Sequence, residues 1–181
     1  FLAVKRIPIK EGLRLNPIRP VVALVCLLLG ISVYLFSIFI EIFMMKISGM
    51  PPVVLPEGSM PVGTLENVLY FVALAIAAPL CEEALFRGAI QGSYEARKST
   101  AAAIIIPTLM FAFYHMRLSG LPGLIPVSFV LGYVAWRSRS ILGSILVHVG
   151  MNASSAAITL LASGGSTFPD KLLASSWTGI A

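Results

Sequence analysis

The residues of this chain that can do chemistry are few, and they sit where charge is costly. Glu82, Glu83 and Arg87 fall within Pro79-Leu80-Cys81-Glu82-Glu83-Ala84-Leu85-Phe86-Arg87-Gly88, at the end of an apolar run from Val68 to Leu80. A charged residue at the centre of a membrane helix costs roughly 2.5–3.5 kcal/mol on insertion scales before any pairing. On a helix, Glu83 and Arg87 are one turn apart and neutralise each other. Glu82 points about 100° away and lacks that partner, and an intramembrane carboxylate without a local counter-ion marks a functional site. Both histidines of the chain, His115 and His148, also lie in apolar stretches. Phe111 precedes His115 by one turn. Ser144, His148, Asn152 and Ala156 form a stripe at four-residue spacing, flanked by Gly143, Gly150 and Ala153, which allow close helix packing. Taken singly, each His or Asn reads as a hydrogen bond between helices. Taken together, polar groups in lipid must face one another or a water-filled cavity, so one shared site is expected.

Such a set suits hydrolysis of a peptide bond, which needs an activated water, a proton donor for the leaving amine and donors for the oxyanion. A carboxylate in a low-dielectric cavity is a better base than one in water, and Glu82 is the candidate. His115 could hold the same water and shuttle its proton. His148 and Asn152, one turn apart, could donate to the oxyanion, each such donor contributing about 2.7–4 kcal/mol in a known protease. A Zn²⁺ site with Glu and two His ligands is the rival mechanism, but the chain has no His-Glu-x-x-His. Cys81 adjoins Glu82, yet neighbours on a helix diverge by about 100°, so a cysteine mechanism is disfavoured.

The elements that must carry these residues are membrane helices. The chain has 181 residues, of which 57% are hydrophobic and 12% charged, and its mean hydropathy is +0.92. A soluble domain is nearer half apolar and a quarter charged, and this length cannot build the very large core that a soluble alternative would require. The formal net charge is +5, but the basic residues flank apolar stretches and form no run suited to nucleic acid. Cys26 and Cys81 both fall in apolar runs and read as small buried hydrophobes with no disulfide. The chain opens on Phe1 and is expected to be a piece of a longer one, so targeting signals are not read.

The pattern predicts an all-α, polytopic transmembrane bundle of about five spans plus an interfacial helix. Residues 1–19 form a basic, interfacial lead-in. The predicted spans are 20–45, 65–87 (with the helix running on to about 97), 100–116, 121–136 and 140–162. Residues 88–98 read as amphipathic and interfacial. Residues 48–63 hold four prolines and predict an extended connector. Ser119-Gly-Leu-Pro-Gly123 reads as a turn, and the tail 166–181 carries no assignment. With a cytoplasmic N-terminus, Lys5, Arg6, Lys10, Arg14, Arg19, Arg97, Lys98, Arg137 and Arg139 fall inside. Only Lys46, Arg117 and Lys171 fall outside, as the positive-inside rule asks. The chain is read as one membrane-embedded domain, 1–181, with its core at 65–160. Straight spans, however, leave His115 nearer the outside than Glu82 and His148, so a tilt, a kink at Pro107 or an early helix end is required.

Glu82-Glu83-x-x-x-Arg87, Phe111-x-x-x-His115 and His148-x-x-x-Asn152, in this order and on separate apolar helices, resemble the motif set of the CAAX protease and bacteriocin-processing (CPBP, or Abi) family. That family includes the type II CAAX prenyl endopeptidases. The resemblance covers residues 65–160 or so. It implies a membrane-embedded endopeptidase in which Glu82 and His115 activate water and His148 with Asn152 form the oxyanion hole, without metal or cofactor. Glu83 and Arg87 would fix the helix and shape the site, or Glu83 would touch substrate. The implied partners are lipid and a peptide or membrane-protein substrate, including prenylated tails. The alternatives are a non-catalytic scaffold or immunity-type protein of the same fold and, less in keeping with the span count, a proton-coupled transporter.

Overall fold

The computed structural model describes residues 8–49, 61 and 63–163, and among these every regular element is a helix. Most of the proline-rich connector, the tail and the first residues of the lead-in lie outside the described residues. The elements are α1 (Ile9–Gly12), α2 (Pro20–Ser48), α3 (Thr64–Glu95), α4 (Thr100–Tyr114), α5 (Leu121–Ser138) and α6 (Ile141–Ser163). Local chemistry sets their ends. Pro20 stands in the first turn of α2, where a missing N–H costs nothing, and Gly49 closes that helix in the left-handed region at φ 64°. The Ser99 hydroxyl accepts from the Ala102 amide at 3.3 Å and starts α4.

Four segments are long and apolar enough to cross a bilayer: α2, α3, α5 together with the 3-10 turn Leu118–Gly120 before it, and α6. The predicted turn at 119–123 is thus shorter than expected, because Pro122 begins a helix as readily as it breaks one. The fifth expected span, α4, has only 15 residues. At 1.5 Å per residue that is about 22 Å, short of the ~30 Å hydrocarbon core. It ends at Tyr114, with His115 as its C-cap. Of the three adjustments the sequence left open, an early helix end is the one these bounds show.

Outward faces carry Leu24, Leu28, Leu35 and Phe39 of α2 and Leu65, Val68, Leu69 and Val72 of α3, all exposed. Apolar rows of this kind suit lipid rather than water. Inward, the helices meet through small residues. A Cβ on Gly30 would collide with the Val147 carbonyl, and one on Gly150 would lie 2.5 Å from the Leu27 carbonyl oxygen. α2 and α6 therefore touch backbone to backbone. Of the small residues expected around the α6 stripe, Gly150 serves this contact with α2, and Gly143 allows close packing on α5, where a Cβ would sit 3.1 Å from the Val134 side chain. Gly30, their counterpart on α2, had no sequence signal beyond being a glycine.

Gly30→Leu is expected to force α2 off α6 and to cost about 3 kcal/mol or more, the upper range of overpacking. Gly63→Ala, with nothing within 4 Å of the new methyl, is expected to change stability by less than about 0.5 kcal/mol. Thermal unfolding of the purified protein in detergent checks both, and wild-type stability in Gly30→Leu would contradict the contact.

Candidate active site

α3 is irregular where the carboxylates sit. Ala73–Ala77 and Ala84–Gln91 are π-helical, and the α-helical turn Ala78–Glu83 lies between them. Pro79 accounts for the first stretch: its ring crowds the carbonyl four residues back, and a widened turn relieves the clash. In this register the Ala78 amide donates to the Ala73 carbonyl. The Leu74 carbonyl would look to residue 79, which is proline and has no N–H. Asn152 of α6 fills that place, its Nδ2 donating to the Leu74 oxygen at 2.9 Å. One N–H of the Asn152 amide is thus spent on a carbonyl freed by proline, and the other remains.

The next turn carries a buried ionic network. Arg87 donates through Nη1 to Glu83 Oε1 at 3.0 Å, with both side chains fully buried. Its Nη2 donates to the Ser128 carbonyl at 3.0 Å and the Ser128 hydroxyl at 2.8 Å, both on α5. The guanidinium carbon lies 4.5 Å from the centre of the Phe111 ring, within cation–π range. His148 Nδ1 lies 2.9 Å from the same Glu83 Oε1. A carboxylate paired with arginine only accepts, so Nδ1 carries the hydrogen. Nε2 then points the other way, 3.7 Å from Glu82 Oε2, whose side chain is one-fifth exposed. To donate from Nε2 as well, His148 must hold both protons.

The second histidine is reached through Phe111. The Phe111 ring centre is 5.8 Å from that of His148 and 4.7 Å from that of His115. His115 itself is exposed. Its Nδ1 lies 2.9 Å from the Phe111 carbonyl, one of the oxygens left open at a helix C-terminus. A carbonyl can only accept, so Nδ1–H donates and His115 Nε2 is left as an acceptor. The structure thus joins Glu82, Glu83, Arg87 and His148 in one network, seats Phe111 between the two imidazoles and Asn152 one turn from His148, and holds His115 at the edge of the cluster.

The network runs on further than expected. Gln91, fully buried, donates to the Gly132 carbonyl and to Glu95 Oε1, each at 2.9 Å. Glu95 Oε2 accepts from Arg14 Nη1 at 2.7 Å, and Arg14 Nη2 donates to the Arg87 carbonyl at 2.6 Å. Residues 88–98 are therefore not simply interfacial: Gly88 and Gln91 are buried, the lead-in packing over Gly88 through Leu13 and α5 accepting the Gln91 bond. The four-residue spacing Glu83, Arg87, Gln91, Glu95 was a signal that could have found this ladder. Ser128, a lone serine on an apolar helix, gave none. Cys26 is buried as expected, but Cys81 is exposed, because it lies on the outward side of α3 near Leu80.

Arg87→Ala leaves Glu83 buried and without its cation, and is expected to cost about 3–5 kcal/mol of stability. Ser128→Ala removes one charge-assisted bond while the Ser128 carbonyl remains, and is expected to cost about 1.5–3 kcal/mol. Unfolding of the two variants in one detergent checks the order, and equal losses would contradict the geometry.

Comparison with known proteins points to one family. The family model for type II CAAX prenyl endopeptidase Rce1-like proteins matches residues 64–154, from the start of α3 into α6. The UPF0177 protein YaiH of Lactococcus lactis subsp. lactis (strain IL1403) is 41% identical over 86 residues, covering 46% of this chain and 34% of that protein. The aligned part thus spans about a third of the length of that curated relative. No solved structure matches the chain. With α3, α4, α5 and most of α6 inside the matched region, the chain belongs to the Rce1-like family of type II CAAX prenyl endopeptidases.

Proposed function

We propose that this protein is an intramembrane, glutamate-dependent endopeptidase that hydrolyses a peptide bond of a membrane-associated protein or peptide. The observation that carries the reading is His148 held between two carboxylates, with Glu83 on Nδ1 and Glu82 facing Nε2. Glu82 is the group left free to act, since Arg87 is spent on Glu83.

In this mechanism a water sits between Glu82 and His115. The water oxygen attacks the scissile carbonyl carbon, and its proton passes to Glu82. His115, with Nε2 open as an acceptor, holds and shuttles that proton. The carbonyl oxygen becomes an oxyanion that accepts from His148 Nε2–H and from the second N–H of Asn152. The tetrahedral species then collapses, the C–N bond breaks and the proton returns to the leaving amine. Glu83 and Arg87 position His148, and Phe111 spaces the two imidazoles.

The reaction is proposed to run without metal or other cofactor. Both nitrogens of His148 face carboxylates, and His115 Nδ1 is committed to a carbonyl. The substrates fitting this site are peptides anchored at the membrane, including prenylated tails of the kind named for the family. The basic lead-in supports a multi-pass topology with a cytoplasmic N-terminus.

Glu82→Ala and His115→Ala are each expected to lower cleavage by about 10²–10⁴-fold, the range of a general acid or base, while insertion and thermal stability stay near wild type. Quantitative proteomics of membrane peptides, comparing cells with the wild-type protein and with Glu82→Ala, reads the activity and finds the substrate. Full activity in either variant would remove the mechanism, and a Glu82→Gln phenotype identical to wild type would favour a scaffold. Cleavage is expected to be unchanged by chelators, and a stoichiometric bound metal would overturn that point.

A further inference from the structure

A cleft of about 420 Å³ opens at the end of the bundle where the lead-in packs, lined by Arg14, Asn16, Glu95, Thr100, Trp136 and Arg139. It lies apart from the catalytic cluster, at the meeting of the lead-in with the ends of α3 and α5 and the start of α4. Its lining is unbalanced in favour of donors. Glu95 is its one carboxylate, and both oxygens of Glu95 already accept, from Arg14 and from Gln91. The Arg139 guanidinium and the Thr100 hydroxyl, both exposed, and the part-buried Trp136 indole N–H have no protein partner among the described residues. Thr100 is also the first residue of a 15-residue helix, whose leading amides and dipole favour negative charge.

The position of Arg139 is built. Its backbone is left-handed, at φ 52° and ψ 30°, a conformation that disfavours any side chain. Its carbonyl is pinned by Asn16 Nδ2 at 2.6 Å. Glycine would hold the same turn without strain, so the backbone alone gives no reason for an arginine there. At the same end of the bundle the lead-in and the ends of α2, α3 and α5 carry the exposed Lys10, Arg19, Arg97, Lys98 and Arg137 against one further exposed carboxylate, Glu11.

We infer that this cleft binds a phosphate group, and that the phosphate is presented by the headgroup of an anionic lipid. A tetrahedral anion with several oxygens suits the arginine, threonine, indole and helix N-terminus that line the cleft. The depth argues for lipid as the source: the cleft lies where the spans end, and tryptophan and arginine anchor that level of a bilayer. The inference goes beyond peptide hydrolysis and does not depend on it, since it is read by binding alone.

The test uses the full chain in a neutral detergent. Retention of phosphatidylglycerol against phosphatidylcholine is measured by native mass spectrometry, and inorganic phosphate alone is added as a second probe. The variant Arg139→Gly keeps the left-handed turn, so its thermal stability is expected to equal or exceed wild type. It is expected to weaken phosphatidylglycerol binding about fivefold, the effect of one basic side chain near an anionic surface. Thr100→Val is expected to weaken it further in the double variant. Phosphatidylglycerol preference lost in Arg139→Gly supports a lipid site. Displacement by inorganic phosphate without lipid preference supports the phosphate site but assigns it to a soluble ligand. Binding of neither probe, or an undiminished lipid preference in a folded Arg139→Gly, overturns the inference.

Discussion

The arrangement depends on one buried ion pair. Glu83 and Arg87 are fully enclosed inside a helix whose outer face is apolar. Within an isolated helix in lipid the pair can form by itself, because the partners are one turn apart, and this lowers the cost of inserting α3. A single contact nevertheless leaves most of the donors of Arg87 unused, and unpartnered polar groups in hydrocarbon cost several kcal/mol each. Ser128 on α5 and His148 on α6 complete the set. The charge that makes α3 costly alone thus specifies which helices it must pack against. The same contacts fix the ring plane of His148 and leave Glu82 as the carboxylate outside the pair.

The irregularity of α3 serves this network. Residues four apart on an α-helix drift by about 40° per step at 3.6 residues per turn. Over the three steps from Glu83 to Glu95 that drift would carry the last side chain about 120° off the first. Ala84–Gln91 is π-helical, and a wider turn advances by fewer degrees per residue. The drift is offset, so Gln91 and Glu95 stay on the side that faces α5 and the lead-in. The π-helical segment upstream makes the complementary adjustment at Pro79, where Asn152 supplies the missing donor. Proline and asparagine, far apart in the chain, answer one backbone requirement.

Much of this was legible in the sequence, for a physical reason. Lipid penalises charge so strongly that Glu82, Glu83, Arg87, His148 and Asn152 stand out against their runs. The helix limits followed from apolar length and capping residues, as at Pro20 and Ser99. What could not be read were contacts without a period. Arg14 reaches Glu95 across 81 positions, and no local pattern encodes that partner. Ser128 and Gly30 are ordinary residues on apolar helices until a neighbour is placed against them. The shortness of α4 was hidden because Met116 continues its apolar run beyond the helix end at Tyr114. Cys81 reads as buried because its neighbours are apolar, whereas in lipid the apolar side is also the outer side.

The region that matches the family model does not close the structure by itself. Residues 64–154 carry the catalytic candidates, yet two of the supports lie before them. Gly30 of α2 admits α6 to backbone contact. Arg14 bridges two helices, α3 and α6: its side chain binds Glu95 and the Arg87 carbonyl, and its own carbonyl accepts from the Ile141 amide at the start of α6 at 3.2 Å. Arg14 does this from a left-handed conformation at φ 55°, a strain that persists only when surrounding contacts over-determine it. Those contacts run to Arg87, whose side chain holds Glu83 and through it His148. A segment that reads from sequence as a basic, interfacial lead-in is thus tied, through one arginine carbonyl, to the helix turn that holds the His148 imidazole.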